Sequence, residues 1–156
     1  MSLFEHQTVE NALLINRLDT EEVLGCAIER PFDLDGHRWL TAEHYYQAMK
    51  YPGKPRFDDI RNAATADEAR KHGRGWLKRT RQDWPALRTR VMTRAIYTQA
   101  HAHPEFAHAL LATGDQLIRE NSMYDYFWGT GRDQRGDNAF GTVLMNVREK
   151  LRQETG

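Results

Sequence analysis

The sequence predicts an α+β fold, a mostly helical single domain over residues 1–156 built around a small β-sheet. Helix caps and apolar residues at helical spacing recur along the chain, whereas the stretches that resemble strands are few and short. The 156 residues are 40% hydrophobic and 28% charged, which is typical of a chain that buries its own core. No long stretch rich in Pro, Gly or Ser divides the sequence and no repeat is present, so one domain is expected.

Short apolar or alternating runs predict strands at four places: residues 12–15, 32–34, 38–40 and 116–120. The second and third runs flank Asp35-Gly36, a dipeptide that adopts the positive φ angles of a tight hairpin turn with little strain. We therefore expect an antiparallel hairpin at this turn.

Capping residues predict five helices, which begin at or near Thr41, Thr65, Pro85, Pro104 and Asn138. Thr41 is the N-cap of a helix that runs to about Lys50, where a Pro-Gly pair stops it. Thr65 and Glu68 form a capping box for a helix over residues 66–72. The helices after Pro85 and Asn138 carry apolar residues at helical spacing, which predicts that both pack against the core.

The composition excludes several classes of protein. The sole cysteine, Cys26, rules out an intramolecular disulfide, and we expect it to be buried and unreactive. No apolar run reaches the ~18 residues of a membrane helix, and the acidic N-terminal stretch differs from a secretory signal peptide. We therefore expect a cytoplasmic protein without membrane contact. Disulfide-rich secreted proteins, membrane proteins and disordered tails do not fit this sequence.

Charges are unevenly distributed, although 22 bases balance 22 acids. Residues 1–40 hold eight acids and three bases, whereas residues 70–94 hold nine bases and one acid, with Trp76 and Trp84 among them. A basic segment of this kind attracts phosphates or nucleic acid when its charges point the same way. The alternative interpretation is that the basic segment is a solvated helix face, whose positive charge is compensated by the acidic N-terminal part. The sequence leaves both interpretations open.

The helix after Thr41 carries the first candidate site. Glu43, Gln47 and Lys50 fall at positions i, i+4 and i+7 and share one helical stripe, while Tyr46 lies on a neighbouring one. One interpretation is a charged surface stripe on a helix whose apolar side faces the core. The other is a pocket lined by a carboxylate, an amide and an amine and walled by aromatic rings. In such a pocket a carboxylate acts as general acid or base, and a desolvated lysine attacks a sugar carbonyl.

The segment over residues 120–138 carries the second candidate site. A cluster of aromatic residues there runs into a loop with three glycines, which ends at the start of a helix. Glycines let a backbone approach a ligand closely, and the amides of a helix start favour an anion such as a phosphate. Trp128 or Tyr126 can stack on a base. A tight connection between two elements would explain the same glycines.

Signals for a metal or a cofactor are weak. His101, His103 and His108 lie close in sequence, but Pro104 interrupts them and no cysteine is near. The combination of His-x-Glu and Cys-x-x-Cys that is typical of zinc nucleobase deaminases is absent. We therefore expect neither a metal nor a cofactor.

Several segments together resemble the NADAR (YbiA-like) family, in the expected order over residues 30–150. The most specific are the block Glu-His-Tyr-Tyr-Gln-Ala-Met-Lys from Glu43 and the block Phe-Trp-Gly-x-Gly from Phe127. Further matching segments are residues 32–39, 60–61, 73–74, 110–114 and 136–148. The resemblance implies the family's fold and N-glycosidase activity. Members of this kind break the ribosylamine bond of early riboflavin-pathway intermediates, or remove ADP-ribose from guanine in DNA and so oppose a DNA ADP-ribosyltransferase toxin.

The resemblance also implies roles for individual residues. Glu43 matches the family's catalytic glutamate, and Lys50 matches a lysine that engages C1 of the sugar. Asp125 and Trp128 match its second acidic position and its aromatic position. Residues that match the pattern around the nucleotide are Arg61, Gly129, Gly131 and Asn138. Tyr46 and Gln47 are expected to contact substrate in the same pocket.

One segment departs from the family pattern. Where the family usually has a Ser-Asn-Phe type of sequence before its Pro-Phe pair, this chain has Leu-Gly-Cys-Ala-Ile-Glu-Arg over residues 24–30. This difference affects a pocket wall that selects substrate rather than the catalytic blocks.

Two functions of different classes are compatible with these residues. The first is a metal-independent N-glycosidase acting on an ADP-ribosyl or ribose-5-phosphate N-glycoside, and the second is a non-catalytic module that binds ADP-ribose or NAD. The presence of Glu43, Lys50 and Asp125 together favours the enzyme, because a binding module needs neither the two carboxylates nor the amine. The basic segment and the altered residues 24–30 favour ADP-ribosylated guanine in DNA over a small ribosylamine phosphate as substrate.

Overall fold

The computed structural model describes residues 11–75 and 79–155. The strands in this part of the chain are β1 (Leu13–Ile15), β2 (Phe32–Leu34), β3 (His37–Trp39) and β4 (Ile118–Glu120). Its helices are α1 (Ala42–Ala48), α2 (Pro55–Arg61), α3 (Ala66–Gly73), α4 (Trp84–Ala102), α5 (Pro104–Leu111) and α6 (Ala139–Thr155). The mixture confirms the predicted α+β class, in which helices dominate. Across the described residues, none of the helices combines the length and the apolar character that crossing a membrane requires.

The four described strands form two separate sheets of two strands each. β1 and β4 pair in parallel, with Ile15 opposite Glu120, so the segments that follow these two residues lie side by side. β2 and β3 pair antiparallel around the expected turn, where φ is 52° at Asp35 and 79° at Gly36. Positive φ at both central residues is the geometry that an Asp-Gly pair favours, so the hairpin prediction is confirmed.

Thr41 and Thr65 cap α1 and α3 as predicted. Thr41 Oγ1 accepts a hydrogen bond from the His44 amide at 3.1 Å, and Thr65 Oγ1 accepts one from the Glu68 amide at 3.1 Å. Each bond satisfies one of the backbone donors that a helix start leaves without an internal acceptor. α1 ends at Ala48, two residues before the expected end.

Helix α2 was not among the expected helices. Pro55 occupies its first turn, and Ile60 is its one buried residue out of seven. A single buried residue gives no apolar stripe, so hydrophobic periodicity does not detect this helix. Packing against α1 and α3 holds it in place.

Helix α1 lies at the centre of the molecule. All seven of its residues are buried, and it contacts α2, α3, α4 and β3. The core continues on the far side of α4, where α6 packs against α4, α5 and β4. A helix that is buried on every side has to satisfy its polar side chains inside the protein. Glu43 and Gln47 are the side chains of α1 for which such hydrogen-bond partners matter most, because they lie on the face that meets a cavity.

Candidate active site

A cavity of about 210 Å³ lies between α1, α3, α4 and the loop that follows β4. Six residues singled out in the sequence line it: Glu43, Tyr46, Gln47, Lys50, Asp125 and Trp128. The polar stripe of α1 therefore faces a cavity and not bulk solvent, which decides between its two interpretations. The cavity is also where the first and second candidate sites meet.

Glu43 is a carboxylate shielded from water and held at both oxygens. It lies in the first turn of α1 and is 3% exposed. Its Oε1 accepts a hydrogen bond from Gln47 Nε2 at 2.7 Å, and its Oε2 accepts one from the Cys26 thiol at 3.3 Å. The positive end of the helix dipole favours a negative charge at this position. Glu43 is thus placed to exchange a proton with a group in the cavity or to stabilise a positive charge there.

Aromatic rings form the wall beside Glu43. The Tyr46 ring lies 5.1 Å from the ring of Trp84 and 5.3 Å, edge-on, from the ring of Trp128. Burial and the nearby Glu43 raise the pKa of Tyr46 above its usual value, so its hydroxyl, which is hydrogen-bonded to Trp128, stays protonated. Lys50 Nζ lies 5.3 Å from the Tyr46 ring centre and donates to the Gly73 carbonyl at 3.4 Å. The amine is therefore held against the aromatic wall.

Arg17 is a cavity residue that sequence analysis did not single out. Its Nη2 donates to Asp125 Oδ2 at 2.9 Å, and its Nη1 donates to Glu120 Oε2 at 3.4 Å. Arg17 is 4% exposed and Glu120 is 0% exposed, so the second ion pair is buried. Loss of Arg17 would leave Glu120 as an uncompensated buried charge, whereas loss of Glu120 would leave Arg17 paired with Asp125. Arg17 and Glu120 are 103 positions apart, and no local pattern in the sequence indicates that they pair.

Asp125 uses both of its oxygens inside the protein. Oδ1 accepts hydrogen bonds from the backbone amides of Phe127 at 3.0 Å and Trp128 at 2.7 Å, while Oδ2 accepts from Arg17. These bonds fix the turn that presents Trp128 to the cavity. The geometry suits Asp125 to positioning Trp128.

Four residues that were expected to surround the nucleotide lie away from the cavity lining: Arg61, Gly129, Gly131 and Asn138. Gly129 and Gly131 are packed tightly inside the loop. A Cβ on Gly129 would lie 2.4 Å from the Glu120 carboxylate, and one on Gly131 would lie 2.3 Å from the Tyr126 ring. Arg61 pairs with an aspartate of its own helix, α2. The two glycines therefore serve the folding of the loop in this structure.

The start of α6 does not offer its amides to a ligand. The backbone amides of residues 138, 139 and 140 donate to the carbonyls of residues 129, 127 and 128 at 3.0, 2.9 and 3.1 Å. The Asn138 side chain bonds the backbone of β4, accepting from the Glu120 amide at 2.8 Å and donating to the Ile118 carbonyl at 2.9 Å. The expectation that this helix start cradles a phosphate is therefore wrong, because the loop itself uses the donors.

Three arginines of the basic segment line the cavity: Arg70, Arg74 and Arg88. The Arg88 guanidinium lies 3.2 Å from the Phe127 ring centre, which holds it flat against the wall. Other members of the segment form ion pairs elsewhere: Lys71 with Asp67, Arg81 with Asp83, and Arg94 with Asp35. Trp76 and Lys78 lie outside the described residues. The basic segment is thus in part a cavity wall and in part a paired surface.

Positive charge exceeds negative charge around the cavity. Its cations are Arg17, Lys50, Arg70, Arg74 and Arg88, and its carboxylates are Glu43 and Asp125. Burial and the neighbouring charge of Arg74 lower the pKa of Arg70, which shows that two like charges are held close together. An anion between them would relieve this repulsion. Phosphate is the anion that guanidinium groups match best, because several oxygens can accept from one planar fork.

A second cavity, of about 300 Å³, adjoins the first and shares Arg17, Arg70, Arg74 and Asp125 with it. Its outer wall includes Met123 and Tyr124, which are 50% and 81% exposed. Arg70 and Arg74 line both cavities, so an anion bound to them would be accessible from either cavity. The two cavities together have room for a ligand longer than one sugar phosphate.

The described residues contain no group of three or more His, Cys, Asp or Glu side chains that could hold a metal ion. The histidines noted in the sequence contact other groups. His103 Nε2 lies 2.6 Å from the Pro31 carbonyl, and His101 Nε2 lies 2.9 Å from a carboxylate oxygen of Glu154.

The fold is mixed α/β, and its main cavity brings a shielded carboxylate together with aromatic rings and arginines. The NMR structure of the Escherichia coli protein YbiA matches this fold with a TM-score of 0.82 and 30% identity, covering 93% of this chain and 88% of YbiA. The sequence matches the NADAR domain over residues 4–152. The chain belongs to the NADAR domain family.

Two curated relatives support the same family assignment. An N-glycosidase of Nostoc punctiforme is 41% identical over 117 residues, which are 73% of this chain and 75% of that protein. A riboflavin biosynthesis protein of Vibrio vulnificus is 37% identical over 120 residues, 77% of this chain but 33% of that protein. E. coli YbiA is itself named an N-glycosidase. The resemblance noted in the sequence and the enzyme class that it implies are confirmed.

Proposed function

We propose that this chain hydrolyses the N-glycosidic bond of a phosphorylated ribosyl substrate, with Glu43 as the catalytic carboxylate. The observation that carries the proposal is the meeting of Glu43 with three arginines and an aromatic wall in one cavity. The arginines would bind the phosphate, and the rings of Tyr46 and Trp128 would pack against the sugar or the base.

The proposed reaction needs a carboxylate beside C1 of the ribose. The C1–N bond breaks and its electron pair stays on the leaving nitrogen, which takes up a proton, while water adds to C1. The transition state has oxocarbenium character, and a nearby carboxylate stabilises it or exchanges the protons. Glu43 is the cavity carboxylate suited to this, since it accepts from two uncharged side chains, whereas Asp125 accepts from the Arg17 guanidinium and two backbone amides. We assign Asp125 the positioning of Trp128.

Lys50 allows a second route, in which its amine adds to C1 of the ring-opened sugar and forms a Schiff base. The contacts of Lys50 favour the carboxylate route. Its Nζ lies 5.3 Å from the Tyr46 ring centre and donates to the Gly73 carbonyl, so the amine is already held by contacts within the protein. Lys50 would then hold the substrate by its charge.

We propose ADP-ribosylated guanine in DNA as the substrate, whose cleavage would reverse the action of a DNA ADP-ribosyltransferase toxin. The second cavity supports a diphosphate substrate, because Arg70 and Arg74 lie between the two cavities and a single ribose phosphate leaves one of them empty. A small ribosylamine phosphate is the second candidate, favoured by the name of the Vibrio vulnificus relative. We also propose a cytoplasmic location.

The experiment that tests this proposal offers both substrates to the purified protein. Released sugar is measured after incubation with ADP-ribosylated DNA and, separately, with a ribosylamine phosphate of the riboflavin pathway. Turnover of the DNA alone supports the proposal, and turnover of the ribosylamine alone moves the assignment to the second candidate. Binding of ADP-ribose without turnover of either would make the protein a non-catalytic ADP-ribose or NAD module.

A further inference from the structure

Cys26 contacts Glu43 from outside α1. Its side chain is 0% exposed, and its Sγ lies 3.3 Å from Glu43 Oε2. Gln47 donates to the other oxygen, so the thiol completes a pair of donors, one for each oxygen of the carboxylate.

The backbone around Cys26 fixes the position of the thiol. The Glu43 amide donates to the Cys26 carbonyl at 3.0 Å, and the Cys26 amide donates to the Arg17 carbonyl at 2.9 Å. The preceding Gly25 is packed so closely that a Cβ on it would lie 2.8 Å from the Arg17 carbonyl oxygen. Cys26 therefore joins the segment that carries Arg17 to the first turn of α1. Its thiol has two acceptors within reach, Glu43 Oε2 at 3.3 Å and the Arg17 carbonyl oxygen at 3.4 Å. The carboxylate is the stronger acceptor of the two, because it carries a charge.

The Cys26 sulfur keeps its proton at neutral pH. Burial raises the pKa of the thiol well above its usual value, and the charge of Glu43 raises it further. The group facing Glu43 Oε2 is accordingly an S–H donor and not a thiolate. An S–H group is a weaker hydrogen-bond donor than the O–H or N–H groups of other side chains.

We propose that Cys26 is a positioning residue for Glu43, whose thiol proton orients Oε2 and, as a weak donor, leaves the carboxylate free to exchange a proton with the substrate. The inference rests on the proposed function, because it assumes that Glu43 acts on the substrate. A stronger donor at this position would orient the same oxygen but stabilise the ionised carboxylate more, and so make Glu43 a poorer base.

Other charged groups also act on Glu43 and remain constant in this comparison. Arg17 lies in the loop after β1, Arg70 on α3, Arg88 on α4 and Asp125 in the loop after β4. Lys50 and Arg74 lie just beyond the ends of α1 and α3. Tyr46 faces the same cavity as a neutral hydroxyl. A substitution at Cys26 leaves all of these in place, so a change in the pH profile reports the donor itself.

The kinetic test compares Cys26→Ala with Cys26→Ser. In Cys26→Ala we expect kcat to fall about tenfold with KM within about twofold, because one hydrogen bond to an ionised group is lost. The limb of the pH–rate profile that depends on the ionisation of Glu43 should move to higher pH, because the ionised carboxylate has lost a hydrogen-bond donor. In Cys26→Ser we expect kcat between those of the wild type and Cys26→Ala, because the stronger O–H donor keeps Glu43 oriented but makes it a poorer base, and the same limb should lie at lower pH. Val143→Ala, a buried truncation on α6 that lies away from the cavity, controls for lost packing and should not move the limb.

The contact itself is tested without turnover by infrared spectroscopy. Cys26 is the one cysteine of the sequence, so the S–H stretching band reports this thiol alone. The band should lie at lower frequency in the wild type than in Glu43→Gln, because an ionised acceptor binds the S–H proton more strongly than an amide does.

Two results would overturn the inference: an S–H band that is the same in the wild type and in Glu43→Gln, or a Cys26→Ala variant with wild-type kcat and an unmoved pH profile. If Cys26→Ala proves unstable, the shift of the limb in Cys26→Ser decides alone. Failure of the proposed function has a different signature: either the wild type turns over neither substrate, or folded Glu43→Gln turns over as fast as the wild type whatever the Cys26 variants do.

Discussion

Replacement of Arg74 by alanine tests whether the cavity binds an anion. Arg70 and Arg74 are four residues apart, and both line the two adjoining cavities. The lowered pKa of Arg70, caused by burial and then by Arg74, indicates that the two charges repel each other in the free protein. Arg74 is exposed and lies just beyond the end of α3, so this repulsion contributes little to the free energy of unfolding. The Arg74→Ala variant should therefore unfold at the same temperature as the wild type or slightly above it.

Substrate binding should change in the opposite direction. A charge-assisted hydrogen bond from arginine to phosphate contributes about 1.5–3 kcal/mol. Its loss lowers kcat/KM by about 10-fold to about 100-fold. The loss should appear mainly in KM, because the charge of a phosphate away from the reacting carbon is the same in the ground state and the transition state.

The assay combines thermal unfolding with steady-state kinetics on the substrate that the protein turns over. Lys71→Gln is the matched control, because it removes one positive charge from the same helix at a site paired with Asp67 on the surface. We expect this control to keep the wild-type KM. An unchanged KM in Arg74→Ala would refute the anion site. An equal loss in both variants would mean that the general field of α3 acts, and not a contact made by Arg74.

Three further predictions concern cofactor, mechanism and substrate. EDTA should leave turnover unchanged, because Glu43 and the arginines supply the charges that the reaction needs; loss of activity that one divalent ion restores would contradict this. Reduction with borohydride during turnover should trap no sugar on Lys50, and a covalent adduct there would establish the Schiff-base route. Neutralising Arg79 and Arg81 together with Lys78 should weaken action on modified DNA, most strongly at low salt, and spare an isolated ADP-ribosyl guanosine. Equal losses on both substrates would assign these residues to the fold.

Local sequence signals predicted the elements that depend on neighbouring residues. The Asp35-Gly36 turn and the Thr41 cap each follow from a few adjacent positions, and both are present. Glu43 and Gln47 were correctly placed on one helix face, whereas Lys50 lies beyond the end of α1, and periodicity could not tell whether this face meets solvent or a cavity. That depended on α3, α4 and the loop after β4, which are distant in sequence.

The features that sequence reasoning missed depend on contacts between distant residues. Arg17 and Glu120 pair across the parallel strands β1 and β4, and the thiol of Cys26 meets Glu43 through a turn that no motif marks. The wrong expectation that the start of α6 binds a phosphate has the same origin. A glycine-rich loop before a helix can leave the amides free or fold back on them, and here the carbonyls of residues 127–129 fold back.

The central claim is that Glu43 breaks an N-glycosidic bond, and turnover by Glu43→Gln tests it most directly. Glutamine keeps the shape of the side chain, and its one amide oxygen can still accept from either Gln47 or Cys26, but it cannot carry the charge or exchange a proton. The variant should unfold at nearly the wild-type temperature and still bind substrate, while release of sugar from ADP-ribosylated DNA or from a ribosylamine phosphate falls by ~10²–10⁴. Wild-type release of sugar by folded Glu43→Gln would contradict the claim.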